Sequence, residues 1–194
     1  MGISWKNMEE KWRRQLLSHA FGKVLEISVG TGDNFKYYPV HVKVTGTDLS
    51  GRMIEKAKQT ASENGINADF IVSSTEELEF PIQSFDTIVS TFSICEYEDP
   101  LWVLNRYNAW CKPGGRILLI ERGLSKYRLI RSVQKKWGPH YYRKSGSHID
   151  RDIIELIEKS KLDIKKIERK LAGIIYIVCA TPQNGKLYQK PLLS

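Results

Sequence analysis

Apolar residues return along the chain with two different periods, and the switches between them lay out the elements. From Ser4 to about Phe21, Trp5, Met8, Trp12 and Leu16 recur at helical spacing, with Lys6, Lys11, Arg13 and Arg14 on other faces. Val24 to Phe35 opens as a β-branched apolar run and ends in Gly30-x-Gly32, the pattern of a buried strand leading into a tight turn. Asp33 to Tyr38 reads as a short helix stopped by Pro39, and His41 to Asp48 as a second strand. Ser50 then caps a helix running to about Asn64, with Ile54, Ala57 and Ala61 on one side and Gly65 as its stop.

The same reading continues to the end of the chain. Ala68 to Val72 and Phe85 to Thr91 are strands, the first followed by a polar turn at Ser73-Ser74-Thr75. Pro100 to Trp110 is helical, and Lys112-Pro113-Gly114-Gly115 turns into a strand from Arg116 to Glu121. Leu124 to Lys144 predicts a helix broken at Gly138-Pro139; Ile149 to Lys159 predicts another behind an Asp150 cap. Leu162 to Arg169 and Gly173 to Thr181 alternate as a strand pair. Strand and helix thus alternate five times before a hairpin, which predicts an α/β fold with a mainly parallel sheet and an antiparallel last strand.

At 194 residues the chain suits one domain. The expected division is an amphipathic N-terminal lid helix over 1–22, the domain proper over 23–181 with a basic insertion at 122–148, and a tail over 182–194. The helix could pack on the core, close over a pocket, or lie on a membrane through its tryptophans. Net charge is +8, and its distribution is uneven. Eight of the 30 basic residues, Arg122, Lys126, Arg128, Arg131, Lys135, Lys136, Arg143 and Lys144, lie in a stretch without one acid, leaving 22 basic against 22 acidic residues elsewhere. Such a stripe could face nucleic acid, an anionic membrane or an anionic substrate, or be merely solvated. Cys95, Cys111 and Cys179 are odd in number and unclustered, so reduced thiols are expected and no metal site. No membrane-spanning run or signal peptide is read, which makes the cytoplasm, with membrane association left open, the expected location.

Chemistry concentrates at the glycine turn. Glycine there lets a ligand approach the main chain, and Asp48, at the tip of the next strand, can accept both hydroxyls of a ribose. Phe35 stands where the dinucleotide fingerprint needs a small residue, which argues against NAD or FAD. Glu26 would repel a pyrophosphate and suits a ligand bearing an ammonium group.

From these residues the chain resembles the class I, Rossmann-like methyltransferases that use S-adenosylmethionine. The resemblance runs through Val44 to Ser50, Ser84-Phe-Asp86, Glu98-Asp-Pro100 and Lys112 to Gly115 in order. It implies a seven-stranded sheet with helices on both faces. Within the class the chain is similar to phospholipid N-methyltransferases, quinone-biosynthesis methyltransferases and methyltransferase-like enzymes acting on thiols; Gly146 to Asp152 resembles a segment of the last group. The resemblance implies that Glu26 binds the methionine ammonium, Gly30 and Gly32 line the methionine portion, Asp48 holds the ribose and Leu49 flanks the adenine. Ser74 stands where relatives carry an acid for the adenine amino group, with Thr75 or backbone as its substitute. Ser93 to Tyr97 would border the methyl group. Asp86 reads as structural.

Methyl transfer is an in-line displacement at a sulfonium, so alignment and water exclusion carry much of the task and S-adenosylhomocysteine is the product. Where a base is needed, His148 is the first candidate and Tyr97 the second, with Glu96, His140, Tyr141 and Tyr142 also chemically able. The expected acceptor is a small amphipathic molecule, whether lipid headgroup, quinone precursor, thiol or amine. An RNA methyltransferase using the basic segment and a non-catalytic cofactor-binding protein are the rivals, and DNA is not an expected partner.

Overall fold

The computed structural model describes residues 4–183. The chain runs α1 (Trp5–Leu17), β1 (Lys23–Ile27), β2 (Lys43–Asp48), α2 (Gly51–Glu63), β3 (Asn67–Val72), β4 (Phe85–Thr91), α3 (Pro100–Trp110), β5 (Cys111–Arg122), α4 (Arg128–Ser145), α5 (Ile153–Lys159), β6 (Leu162–Lys170) and β7 (Ile175–Pro182). The seven strands form one sheet in the order β3-β2-β1-β4-β5-β7-β6. Only β7 runs against its neighbours, pairing antiparallel with both β5 and β6.

Both faces of the sheet are covered, which is why its central strands read as near-continuous apolar runs. On one face Val24, Val44, Val89, Leu118 and Ile177 meet Trp12, Leu16 and Leu17 of α1 and Ile54, Ala57 and Ala61 of α2. On the other, Leu25, Ile27, Ile88, Ile117, Leu119 and Val178 meet Val103, Leu104, Tyr107 and Trp110 of α3 and Ile153 and Ile157 of α5. The period-2 alternation along β5 sends adjacent residues to opposite cores.

Ser4 and Ser50 cap α1 and α2 by accepting from Asn7 N and Met53 N. Asp86 ties strands together as expected: Oδ2 accepts from Lys23 N at 2.8 Å and Oδ1 from Lys112 Nζ at 2.7 Å. Burial pushes this carboxyl up, but the Lys112 ammonium and the Lys23 amide together hold its pKa below the usual carboxylate value. All three cysteines are free thiols, two of them buried.

Several expectations need correction. Between β3 and β4 no helix forms, so the strand–helix alternation is interrupted there. Lys112 to Gly115 is a bulge inside β5, which already pairs Cys111 with Phe85 before the register jumps to Arg116 opposite Thr87. Helix α4 runs unbroken through Gly138-Pro139. It is held on one side of the proline by Gln134, whose Nε2 donates to Gly123 O and Ile149 O. At the break itself a Cβ on Gly138 would lie 2.5 Å from Asp150 Cγ, so glycine lets helix and loop touch. Asp150 is therefore packed against α4, and the cap of α5 is Asp152, which accepts from Glu155 N. Of the expected tail, Pro182 ends β7 and Gln183 donates its N–H to Lys161 O and Asn108 Oδ1; residues 184–194 lie outside the described residues.

Candidate functional site

The chain lays down β1, β2 and β3 in one direction and then crosses to place β4 on the other side of β1. The ends of β1 and β4 thus mark a topological switch point, beyond whose carboxyl ends open α/β sheets place the ligand crevice. The residue just past each strand has a left-handed backbone without being glycine: Ser28 at φ 54° and Phe92 at φ 59°. Non-glycine residues held there cost of order 1 kcal/mol each and persist only where the surroundings fix them. Nothing in the sequence pattern marks either one.

The glycine turn follows Ser28. Gly30 (φ 56°) has nothing within 4 Å of the place a Cβ would occupy, whereas a Cβ on Gly32 (φ 83°) would strike the Phe35 ring at 2.7 Å. The two glycines therefore differ in use: Gly30 leaves open space, and Gly32 lets Phe35 pack fully buried against Tyr38 and Phe70. Asp48 joins this turn to the end of β2, with Oδ2 accepting from Gly30 N at 2.9 Å and Oδ1 from Ser50 N at 2.9 Å. Two of its roughly four lone-pair sites stay free. Leu49 beside it is 72% exposed, an apolar surface at the mouth of the crevice.

Glu26 is not without partners. Its side chain is buried, with Oε1 accepting from Asn34 Nδ2 and Oε2 from Tyr38 OH, both at 2.8 Å. Arg13 of α1 completes the cluster by donating to Asn34 Oδ1 at 2.5 Å and Thr91 Oγ1 at 3.2 Å, while its other nitrogens bind Glu9. Arg13, placed by periodicity on an outward face, is thus 8% exposed and reaches inward. Burial raises the Glu26 carboxyl to about 7, against the lowering effect of Tyr38, Asn34 and Arg13. Trp12 lies in the core and Trp5 stacks on it edge to face, so α1 packs on the sheet and also feeds one side chain into the site.

The loop after β4 is held by a second buried carboxyl group. Glu121, at the end of β5, accepts from Ser90 Oγ at 2.8 Å, from Ile94 N at 3.2 Å and, more distantly, from Ser93 N at 3.4 Å. Burial lifts its pKa to about 8. Ser93 Oγ lies 2.7 Å from Ser90 Oγ, so its hydroxyl is spent inside the protein. Tyr97 is buried with its hydroxyl 3.2 Å from Ser28 Oγ, bridging the β1 and β4 loops; burial raises its pKa despite hydrogen bonds that include Ser28, Ser93 and Thr75. Thr75 is thereby brought into the site, with Ser74 half-buried next to it. His148 joins from the far side: its N–H donates to Cys95 O at 2.8 Å, its ring stacks on Tyr142 at 4.1 Å, and Nδ1 faces Asp150 at 3.5 Å. Arg151, just past the basic segment, donates to Ile94 O, a second tie to this loop. His140 and Tyr141 lie exposed on α4, His140 edge to face with Trp137. Sequence reading missed Arg13, Asn34, Tyr38 and Glu121; a buried acid two strands from the glycine turn has no local signature. Among the described residues no cluster of metal-ligating side chains occurs.

A family model described as a methyltransferase domain matches residues 24–115, which contain the glycine turn, Asp48 and the β4 loop. The mitochondrial methyltransferase OMS1 of Saccharomyces cerevisiae is 30% identical over 90% of this chain, which spans 42% of that protein's length. A phosphatidylethanolamine N-methyltransferase of Cereibacter sphaeroides is 27% identical over 84% of this chain and 82% of its own. Among solved structures, a geranyl diphosphate methyltransferase in complex with S-adenosylmethionine superposes with a TM-score of 0.72 at 14% identity, over 90% of this chain and 84% of that one. That likeness is one of fold.

Proposed function

We propose that this chain is an S-adenosylmethionine-dependent methyltransferase and that it methylates a small amphipathic acceptor in the crevice between the β1 and β4 loops. The observation that carries the reading is the pairing of Gly30 and Asp48: an open space above a glycine, beside a carboxylate with unused acceptor sites. The residues fit the cofactor there. Asp48 would take the ribose hydroxyls, Gly30 would admit the methionine portion, Leu49 would flank the adenine, and Glu26 would face the ammonium. When bound, the cofactor supplies a sulfonium-borne methyl group.

The chain's own part is positioning. Tyr97 and Ser28 hold the two loops at a fixed separation, and Glu121 fixes the backbone of Ser93 and Ile94, where the acceptor would lie. Tyr97, kept protonated by burial, serves as a donor or spacer in place of the base considered for it. His148 stays the candidate base for an acceptor that must lose a proton. Helix α1 acts as the cover of the site through Arg13, ahead of a methyltransferase domain spanning 23–181. The N-methyltransferase relative favours a lipid headgroup amine as acceptor.

A methyl group labelled in the cofactor, followed into a whole-cell extract, tests the reading. Label in the organic phase supports a lipid or quinone acceptor. Label confined to aqueous metabolites moves the acceptor to a thiol or small amine, and label in RNA or protein overturns the proposal.

A further inference from the structure

Helix α4 is amphipathic in the wrong sense for a helix in water. Its inner face is fastened by polar groups: Gln134, with Oε1 accepting from Ser125 N at 2.8 Å, and Arg131, paired to Asp152 at 2.5 Å. Gln134 and Gly138 are its only buried residues. Three of its large apolar side chains point outward instead. Leu129 is 84% exposed, Val133 57% and Trp137 58%, and their spacing of four residues puts them on one ridge. Lys136 and Arg143 flank that ridge on one side and Lys144 lies along it, all exposed.

We propose that this outer face of α4 is a docking surface for an anionic lipid bilayer. Apolar side chains insert at the boundary of headgroups and acyl chains, and the flanking cations meet the lipid phosphates, the arrangement of interfacial helices generally. Charge argues against a second copy of the chain as occupant, since two faces without an acid from Arg122 to Ile149 would repel. A nucleic acid would use the cations and could stack on Trp137, but would leave Leu129 and Val133 wet. The loop beneath α4 holds Cys95 O against His148 N and Ile94 O against Arg151. Docking there would bring the crevice to the bilayer surface, so the inference deepens the proposed function by naming where a lipid acceptor arrives.

Co-sedimentation of the full chain with vesicles of phosphatidylcholine, alone and mixed with phosphatidylglycerol, tests it. The mixed vesicles should bind markedly more protein, with binding weakening as salt rises. Leu129→Ser, Val133→Ser and Trp137→Ser together should lower partitioning about tenfold or more, and Lys136→Gln or Arg143→Gln about fivefold each. These side chains are solvent-exposed, so circular dichroism and cofactor affinity should not change. Equal binding to both vesicle types, or a triple variant that binds like wild type, overturns the proposal. So would loss of self-association or of RNA binding in the triple variant without a change in vesicle binding. Because cofactor binding and methyl transfer to a soluble amine are read separately on the same variants, a failure of docking is distinguishable from a failure of the methyltransferase reading.

Discussion

The Gly30 N–H donates to Asp48 Oδ2 across 2.9 Å, so the turn after β1 and the tip of β2 are fixed to each other by one carboxylate. The other oxygen of the same group holds Ser50 N at the start of α2. One side chain therefore sets the geometry of two loops and still has lone pairs unused.

Asp48→Ala should weaken cofactor binding by ~2 kcal/mol, about thirtyfold in Kd, since hydrogen bonds to a charged group are worth roughly 1.5–3 kcal/mol. Asp48→Asn, which keeps one acceptor, should fall between. Titration calorimetry with S-adenosylhomocysteine reads both, and an unchanged Kd in Asp48→Ala would remove this residue from the site.

Cofactor affinity should depend on pH through Glu26. Its carboxyl sits at about 7 because of burial, so it is partly protonated at neutrality and must ionise to meet an ammonium group. Binding should tighten as pH rises through about 7, by at most about tenfold per unit, and weaken again above about 8, where an α-amino group loses its own charge. Glu26→Gln should abolish the lower limb. A Kd flat between about pH 6 and 7.5 in wild type would count against the assignment.

Glu121 should leave a mark on stability. Its folded pKa of about 8 lies above the ordinary glutamate value of 4.5, so between those limits the unfolded chain ionises while the folded chain keeps its proton. Stability contributed by the protonated form is complete below about 4.5 and is lost as pH rises toward about 8. Glu121→Gln should flatten this decline, measured as the urea midpoint across the window. It should also leave kcat more impaired than cofactor Kd, because Ile94 N and Ser93 N lose part of their anchor.

Tyr97→Phe and His148→Ala separate spacer from base. Tyr97→Phe should alter KM or kcat a few-fold without moving the pH–rate profile, since the phenol is held protonated by burial. His148→Ala should remove an acidic limb of that profile if His148 takes the acceptor's proton. Two unchanged profiles would mean that transfer needs no base from either residue.

Arg13→Met keeps the packing stem and removes the donors to Asn34 and Thr91. Losing buried bonds of this kind costs about 1–3 kcal/mol. Faster hydrogen exchange along α1, together with an upward shift of the pH dependence at Glu26, would be the expected result.

The sheet was legible because its central strands are buried on both faces, so that Val24 to Ile27 and Phe85 to Thr91 read as apolar runs whatever their neighbours. Gly30, Asp48 and Asp86 were legible because turn and strand-end chemistry is local. Glu26 reads only as a group for a cationic ligand, because its protein partners, Asn34 and Tyr38, come from a segment whose fold back over β1 has no periodic signal. Arg13 was assigned by periodicity to solvent, yet Thr91, 78 positions away, draws it in. The Gly138-Pro139 pair reads as a helix break by propensity, and contacts on either side of it override that preference. Asp150 reads as the cap of α5, but its close approach to Gly138 draws it onto α4, and Asp152 accepts from Glu155 N in its place.

The place of β7 carries a consequence for how the chain is made. It follows every other strand in sequence but lies inside the sheet, between β5 and β6. While a ribosome is still adding residues before Ile175, β5 and β6 each present an unpaired edge to other chains, and one of those edges belongs to the apolar run Ile117 to Ile120. Truncation before β7 should therefore yield aggregates rather than a smaller working enzyme, and nascent chains of this protein should be prominent clients of ribosome-associated chaperones.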